Sequence, residues 1–414
     1  MSTARPCQRS GRHSRRVSRR VRRNRLIASG LLAVLIGMGY VLLGSGAPPK
    51  STSAALGPRG MSTSGAQHPS PTRLASGTSP RLTSQTLPWS LPAGLSRSVV
   101  VPDGRDHIVV LGGLTTTGSS AAGMYSVDLS SGTKIFLGDL VGPLHDAGGA
   151  ALAGYVMVFG GGTGASVRTV QGVHLPSGGS RSVARRQHVG SSAQADTPGH
   201  TGNSAQASVI GELPQPRSDG SVAVIGRTAY VVGGYDGMSA DAQVLSTTNG
   251  RNFSVVVSLP QPVRYAAVAA MGGKIYVFGG EAVTGPLAGR PVRDVQVIDP
   301  TSHTAAIIGQ LPEPLKGAAA ATLGGHLYVL GGNTLAQDAG AGGVTGPGSP
   351  GLATTRAIWG FDTATSRTVL VGELAAPVAH SGVTVDAGRI WLVGGEQAGV
   401  PVPTVQDVYP ARGR

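Results

Sequence analysis

The sequence has very little cysteine, since Cys7 is the only one in 414 residues. No disulfide can therefore cross-link the chain internally, and its folded part must be held together by hydrogen bonding and packing. Common enzyme motifs are missing too: there is no Gly-x-Ser-x-Gly elbow, no His-Glu-x-x-His pair, no phosphate loop ending in Gly-Lys-Ser or Gly-Lys-Thr, and no close cluster of metal ligands. The sequence thus predicts no metal and no cofactor, and it marks no catalytic residue.

Acidic residues are absent from the start of the chain, where the first is Asp103. Fifteen Lys or Arg residues precede it and the whole chain has a formal charge of +14, so the remainder sums to 14 minus 15, or −1. Because the excess positive charge precedes Asp103, the remainder of the chain is close to neutral, and we expect no nucleic-acid binding. Thirty arginines against four lysines, with 65 glycines, are typical of a high-GC bacterial genome.

Long apolar runs are also scarce, and the one present is LIASGLLAVLIGMGYVLL, from Leu26 to Leu43. As a helix it would be about 27 Å long, enough to cross a bilayer. Residues 1–25 contain ten arginines, which should keep this tail in the cytoplasm and send the rest outward. The sequence predicts a single-pass membrane protein with a signal-anchor helix at 26–43 and a flexible Ser/Gly/Pro-rich stalk at 44–80. A cleaved signal is the alternative, in which case the protein is secreted; the length of the apolar run and Pro48 argue against it.

A short run of β-favouring residues ends at two glycines six times along the chain, which predicts buried strands ending in tight bends. The second glycine lies 22, 21, 21, 21, 21 and 21 residues after a leucine that is usually followed by proline. Repeats of about 50 residues with four short strands each indicate a β-propeller. The leucines are Leu91, Leu140, Leu213, Leu259, Leu311 and Leu374, and the pairs begin at Gly112, Gly160, Gly233, Gly279, Gly331 and Gly394.

These features resemble the kelch family. An aspartate before the turn from the third to the fourth strand, at Asp128, Asp299 and Asp362, is also a kelch habit, since aspartate bonds nearby backbone in turns. The tryptophan that kelch proteins usually carry on the fourth strand is missing. The resemblance implies an all-β fold, a six-bladed kelch-type propeller over residues 81–410. An open solenoid of the same units is the alternative.

Closure of the ring requires an extra strand, because the sixth unit ends after its third strand near Thr404 to Tyr409. Residues 81–87 precede Leu91-Pro92 as fourth strands elsewhere precede their leucines. We therefore expect them to complete the last blade and to cover its edge.

Successive strands of each unit run in opposite directions. The residues before the first strand and those after the glycine pair should therefore meet at one mouth of the propeller channel. Loops held by a rigid scaffold at such a place commonly carry function. Their cations, carboxylates, amide and tyrosines suit a polar ligand or peptide, although a wet channel mouth favours polar residues in any case. The candidate ligand-binding residues are Arg97, His145, Tyr235, Asp236, Arg264, Tyr265, Glu281, Lys316, Asn333, His380 and Glu396.

Two insertions interrupt the repeats. Residues 175–204 should lie on the opposite face, as a disordered loop rather than a docking site. Residues 333–355 follow the fifth glycine pair and should overhang the mouth, either as a mobile lid or as a tolerated insertion.

Two functions fit these observations. The sequence predicts a non-catalytic module that binds an unknown protein or glycan outside the cytoplasm. The copper-oxidase chemistry of some kelch proteins is excluded, since it needs a cysteine in the ring. Bacterial sialic-acid (N-acetylneuraminate) epimerases also resemble this chain, and that likeness implies a cofactor-free sugar epimerase in which Glu281 or Glu396 acts with Arg97 or Arg264.

Overall fold

The computed structural model describes residues 79–104, 106–175, 205–339, 342–346 and 351–411. These residues form β-strands joined by turns and loops, which confirms the all-β fold class. None of them belongs to a helix long and apolar enough to cross a membrane. The tail, the anchor helix and nearly all of the stalk expected in residues 1–80 lie outside the described residues, as does the insertion from 176 to 204.

The strands are short, as expected for a repeat rich in turn residues. The first eleven are β1 (Leu82–Ser90), β2 (Leu95–Ser96), β3 (Val99–Pro102), β4 (His107–Leu111), β5 (Leu114–Thr115), β6 (Ala121–Asp128), β7 (Lys134–Leu144), β8 (Gly148–Leu152), β9 (Tyr155–Phe159), β10 (Thr169–His174) and β11 (Gln206–Glu212). The next ten are β12 (Ser221–Ile225), β13 (Thr228–Val232), β14 (Gln243–Thr247), β15 (Ser254–Ser258), β16 (Ala267–Met271), β17 (Lys274–Phe278), β18 (Val292–Asp299), β19 (Thr304–Leu315), β20 (Ala319–Leu323) and β21 (His326–Leu330). The last ten are β22 (Asn333–Leu335), β23 (Val344–Thr345), β24 (Leu352–Thr354), β25 (Ala357–Asp362), β26 (Arg367–Glu373), β27 (Gly382–Asp386), β28 (Arg389–Val393), β29 (Glu396–Gln397), β30 (Val400–Pro401) and β31 (Thr404–Pro410).

The longer strands form four-stranded antiparallel sheets, six of them within the described residues. The first strands of these sheets contact one another in a closed cycle, with β27 returning to β3. Three small sheets, β2-β5, β22-β24-β23 and β29-β30, lie outside this series. In chain order the strands of the six sheets are β3-β4-β6-β7, β8-β9-β10-β11, β12-β13-β14-β15, β16-β17-β18-β19, β20-β21-β25-β26 and β27-β28-β31-β1.

The apolar core is divided among the interfaces between neighbouring sheets. Val109 and Met124 of the first sheet pack with Val156 and Val158 of the second, for example, and six such buried clusters occupy the six interfaces. Alternation along a strand sends side chains to both faces of a sheet, and the second strand of every sheet accordingly contributes to two clusters. Sheet-on-sheet burial therefore performs the role that disulfides perform in smaller cysteine-rich proteins.

The last sheet takes its outer strand from the beginning of the described chain. β1 pairs antiparallel with β31, from Leu82 opposite Pro410 to Thr86 opposite Gln406. Leu82 is 4 % exposed and packs with Ile390 and Val408 in the cluster between the fifth and sixth sheets. Both sequence ends of the β region are thus held in one sheet, and the edge of β31 is covered.

The turns between third and fourth strands confirm the backbone-bonding role predicted for Asp128, Asp299 and Asp362. Asp128 Oδ1 accepts hydrogen bonds from the backbone N–H of Ser130, at 2.8 Å, and of Ser131, at 2.9 Å. Asp299 and Asp362 accept equivalent bonds two and three residues further on. The Ser130 hydroxyl also donates to Asp128 Oδ1, at 2.6 Å, and together these bonds lower the pKa of Asp128 to about 2.

Candidate functional site

The glycine pairs link each sheet to the next repeat through backbone hydrogen bonds. Gly331 and Gly332 have φ angles of 60° and 104°, in the left-handed region that glycine adopts readily. A Cβ on Gly331 would lie 2.2 Å from the Val378 carbonyl oxygen, and the N–H of Gly332 donates to that oxygen at 2.8 Å. The second glycine of every other pair makes the same bond, to Leu144, Arg217, Val263, Leu315 and Leu95.

The residue after each glycine pair lies opposite the residue five places after the leucine of the same repeat. Arg264 and Glu281 form such an isolated β-bridge, and the equivalent positions pair in all six repeats. The other pairs are Ser96 with Leu114, His145 with Gly162, Ser218 with Tyr235, Lys316 with Asn333, and Ala379 with Glu396. Residues read from two separate stretches of each repeat therefore meet at one mouth.

The residue six places after each leucine forms a hydrogen-bonded ring. Each has a left-handed backbone, with φ between 51° and 62°. Each N–H donates to the carbonyl of the equivalent residue in the preceding repeat, and the bond from Arg97 to His380, at 2.9 Å, closes the circle. The ring residues are Arg97, Asp146, Asp219, Tyr265, Gly317 and His380. This ring holds five side chains close together at the centre of the mouth.

A cavity of about 640 Å³ opens at this ring. Its lining includes eight of the eleven candidates, namely Arg97, Arg264, Tyr265, Glu281, Lys316, Asn333, His380 and Glu396. The insertion after the fifth glycine pair supplies Leu335, Gln337 and Leu352, so it does overhang the mouth as expected. Sequence reasoning missed Arg290 and Pro291, which lie in the long turn before β18.

Arg97 reaches across the ring. Its Nε donates to Glu396 Oε1 at 2.7 Å, and its Nη1 donates to Asp146 Oδ2 at 3.1 Å and to Tyr265 Oη at 3.2 Å. Burial alone would lower the pKa of Arg97, but the carboxylates of Asp146 and Glu396 raise it. The guanidinium is therefore a permanent cation at the bottom of the cavity.

Glu281, 3 % exposed, is held by two cations. Arg264 Nε donates to Oε1 at 2.8 Å, and Lys316 Nζ donates to Oε2. Burial opposes ionisation, but Lys316 and Arg264 together lower the pKa of this carboxyl. Both oxygens are engaged, so Glu281 acts as an anchor for the two cations that line the cavity.

Glu396 occupies the equivalent position of the sixth repeat but is bound differently, because its bridge partner is Ala379. Its Oε1 accepts hydrogen bonds from Ser96 Oγ, at 3.0 Å, and from Arg97. Its Oε2 accepts none from any residue that the structure describes. Burial would raise the pKa of Glu396, whereas the neighbouring Arg97 cation and the hydrogen bonds from Arg97 and Ser96 lower it, so the group is an anion.

Two neutral aromatic groups complete the ring. The Tyr265 and His380 rings meet edge to face with centroids 4.9 Å apart. Burial and the nearby Arg97 lower the pKa of His380 to about 3, so this imidazole is uncharged at neutral pH. Burial also raises the pKa of Tyr265, which keeps its hydroxyl protonated.

Asp146 and Asp219 belong to the site although they were not among the candidates. They are neighbours in the ring, with the N–H of Asp219 donating to the Asp146 carbonyl at 2.8 Å, and the carboxyl groups of Asp146 and Asp219 form ion pairs with Arg97 and Arg264 respectively. Burial and the Asp146 carboxyl raise the pKa of Asp219 to about 7. Their place six residues after a leucine, shared with Arg97, is the sequence signal that finds them.

The three remaining candidates lie outside the cavity lining. The ring of Tyr235 stacks under Arg264, whose Cζ is 4.9 Å from its centroid, and Tyr235 Oη donates to the Gly237 carbonyl. Asp236 caps the same exposed turn, accepting bonds from Met238 and Ser239. His145 Nδ1 hydrogen-bonds Ser120 Oγ at 2.8 Å. Tyr235 thus positions Arg264, while Asp236 stabilises a turn.

Comparison with known proteins agrees with this geometry. The Kelch motif matches residues 262–304, which run from just after Leu259-Pro260 into β19. No curated protein sequence matches the chain. The solved structure of YjhT is similar with a TM-score of 0.58 and 18 % identity, over 78 % of this chain and 95 % of that one. The chain therefore carries a Kelch motif within a fold of the kind seen in YjhT.

Proposed function

We propose that this chain is a six-bladed kelch-type β-propeller that binds the end of a glycan in the cavity of its glycine-pair mouth. The blade number is supported by six four-stranded sheets, six buried clusters between them and a ring of six backbone hydrogen bonds. We further propose that Leu26 to Leu43 anchors it in a bacterial membrane with the propeller outside the cytoplasm, as the arginine-rich tail favours.

One observation carries the ligand proposal: half-buried cations and buried carboxylates from four repeats converge on one cavity of about 640 Å³. That volume falls in the usual range for small-molecule sites, roughly 300–1,000 Å³. It accommodates one or two sugar rings rather than a protein surface. Because Arg264, Lys316 and Arg97 are already fixed by carboxylates, little side-chain entropy is lost when a polar ligand arrives.

Titration of the purified protein with a panel of acidic and neutral sugars, followed by proton NMR, tests this proposal. Lys316→Met keeps the aliphatic stem but removes a cation from the cavity, and it should weaken binding about tenfold to a hundredfold, the usual range for a charge-assisted hydrogen bond. Lys274→Met is the matched control, because Lys274 pairs with Asp299 at a turn outside the cavity lining. Wild-type protein that binds no sugar would remove the proposal. If an envelope pull-down with K316M lost a protein partner that wild type recovers, the ligand at the mouth would instead be a protein.

A cofactor-free sugar epimerase is the second candidate, and one observation favours it. Glu396 and the neutral imidazole of His380 both line the cavity, and these two groups are suited to acid and base roles. The same spectra decide the matter, since they report exchange between the two anomers of a free sugar. Binding without accelerated exchange supports the binding module, and exchange lost in Glu396→Gln supports the enzyme.

A further inference from the structure

The cavity has an apolar side, which the insertion after the fifth glycine pair supplies. Leu335 of β22 and Leu352 of β24 both line the cavity and lie opposite each other in an antiparallel pair. The Cβ atoms of residues paired in this way are about 5 Å apart, on one face of the sheet. Both leucines are partly exposed, so they leave apolar surface open to the cavity. These two residues are the apolar strip of the cavity.

The apolar strip follows a polar part of the same sheet face. Asn333, the first residue after the glycine pair, shares this face with Leu335, and Thr354 lies opposite it. Thr354 Oγ1 donates a hydrogen bond to Asn333 Oδ1 at 2.9 Å, and both side chains are buried. Because a strand rises about 3.3 Å per residue, Leu335 lies about 7 Å along the strand from Asn333, away from the glycine pair. The wall of the cavity is thus polar near the ring and apolar beyond it.

Contacts with both neighbouring repeats hold the described part of the insertion in place. On one side, Arg293 Nη2 of the fourth sheet is 3.3 Å from Asp338 Oδ2. On the other side, the N–H of Ala398 in the sixth repeat donates to Thr354 Oγ1 at 3.0 Å. The N–H of Thr355 also donates to the Gly332 carbonyl, at 2.9 Å. The apolar strip is therefore set in position before a ligand arrives, which lowers the entropic cost of binding.

The apolar strip is a property of the fifth repeat alone. The other repeats have no leucine at the place of Leu335, where they carry Thr116, Gly164, Gly237, Val283 and Ala398. The aromatic side chains that line the cavity, Tyr265 and His380, belong to the hydrogen-bonded ring and not to the strip. Since aromatic groups pair best with other aromatic rings, branched aliphatic side chains suit an alkyl chain better than an aromatic group.

We infer that the ligand is a sugar joined to an alkyl chain, with the sugar in the polar part of the cavity and the chain packed against the apolar strip. This inference rests on the proposed glycan-binding function and specifies the ligand as an amphiphile of the glycolipid class. Packing of the chain against Leu335 and Leu352 removes apolar surface of both molecules from water. Each methylene group buried in this way strengthens binding about fourfold.

Calorimetric titration of the purified full chain with matched methyl and butyl β-glycosides of glucose, galactose and N-acetylglucosamine tests the inference. For a sugar that binds, the dissociation constant of the butyl glycoside should be about 15-fold to 60-fold below that of the methyl glycoside, as burial of two or three methylene groups requires. The double variant Leu335→Thr with Leu352→Thr should bring this ratio close to one. It removes aliphatic surface from the cavity wall while keeping a residue that favours β-strands at both positions.

Leu370→Thr is the matched control, because this leucine is 52 % exposed on β26 and lies outside the cavity lining. That variant should keep the wild-type ratio of the two dissociation constants. Should the double variant not fold, the single variant Leu352→Thr and the wild-type ratio decide.

The possible results separate this inference from the proposed function. Equal affinity of wild type for methyl and butyl glycosides would overturn the alkyl chain and leave glycan binding standing. An unchanged ratio in the double variant would show that the chain binds elsewhere than the apolar strip. Tighter binding of phenyl than of butyl β-glycosides would assign the strip to an aromatic group instead. Failure of every glycoside to bind would remove the proposed function itself.

Discussion

Five residues of the ring carry backbone strain. Arg97, Asp146, Asp219, Tyr265 and His380 adopt the left-handed backbone without being glycine, which costs about 1–2 kcal/mol at each residue. Such strain persists only where surrounding bonds impose it, and it is common at functional sites. Here the ring of backbone hydrogen bonds imposes it, and the result is a fixed set of charged side chains at the mouth.

The repeat spacing located the residues of the site but not their partners. Counting from each leucine finds all six ring positions, because the bend that follows it is the same in every repeat. The ion pair between Arg97 and Glu396 joins residues 299 positions apart in different repeats, and no local pattern encodes it. The ion pairs of Asp146 with Arg97 and of Asp219 with Arg264 also join different repeats and were missed for the same reason.

Gly317 is the ring position without a side chain, and His380 fills the space beside it. A Cβ there would lie 2.5 Å from His380 Nε2, and φ is 62°. Gly317→Ala should therefore lower the free energy of unfolding by the left-handed penalty plus about 1–3 kcal/mol of overpacking. Urea unfolding of the purified protein measures this loss.

Gly324→Ala gives the matched comparison for that substitution. Gly324 has φ of 59°, yet nothing lies within 4 Å of its Cβ position, so only the left-handed backbone penalty of about 1–2 kcal/mol applies. Equal losses in the two variants would show that His380 does not depend on the gap at Gly317.

Fourth strands share a sequence motif, an aliphatic residue, a glycine, a polar residue and the leucine of the next repeat, as in Ile308-Gly309-Gln310-Leu311. Val295 lies opposite Gly309 while Gln296 lies opposite Ile307, so Ile308 is an extra residue in a β-bulge. A Cβ on Gly309 would lie 2.9 Å from the Ser366 carbonyl oxygen of the next sheet. The motif could thus be recognised from sequence, whereas its cause, the close approach of a neighbouring turn, is a tertiary contact.

Closure by β1 makes a prediction about stability. Leu82→Ala removes a buried side chain from the cluster between the fifth and sixth sheets and should lower the free energy of unfolding by about 2–5 kcal/mol. Leu370→Ala makes the same change on β26, where the side chain is 52 % exposed, and should stay within about 0.5 kcal/mol of wild type. Chemical denaturation of both variants gives the comparison. If Leu82→Ala were as mild as Leu370→Ala, β1 would not hold the last sheet in solution.

For the molecule as a whole, the succession of four-stranded sheets could be predicted from the sequence because each sheet packs against its neighbours through the same contacts. The glycine pair, the leucine and the turn aspartate are each local, and each is set by a contact that recurs from repeat to repeat. The insertion at 333–355 has no such recurrence; its small sheet β22-β24-β23 and its contribution to the cavity come from one repeat alone. Function in such a fold therefore depends on the places where the repeats differ.

The membrane topology is the last prediction, and it concerns the charge asymmetry of the full chain. Ten arginines without an acidic residue precede the apolar segment, so residues 1–25 should remain in the cytoplasm and the propeller should be exported. Alkaline phosphatase fused after Arg414 should be active, since that enzyme requires an oxidising compartment. Green fluorescent protein fused at the same position should not fluoresce once the chain has been exported by the general secretion route. Deletion of residues 1–43 should reverse both signals. Active phosphatase on a shortened chain released into the medium would establish a cleaved signal instead of the anchor. A fluorescent fusion of the full chain would contradict export, and the cavity would then face cytoplasmic sugars.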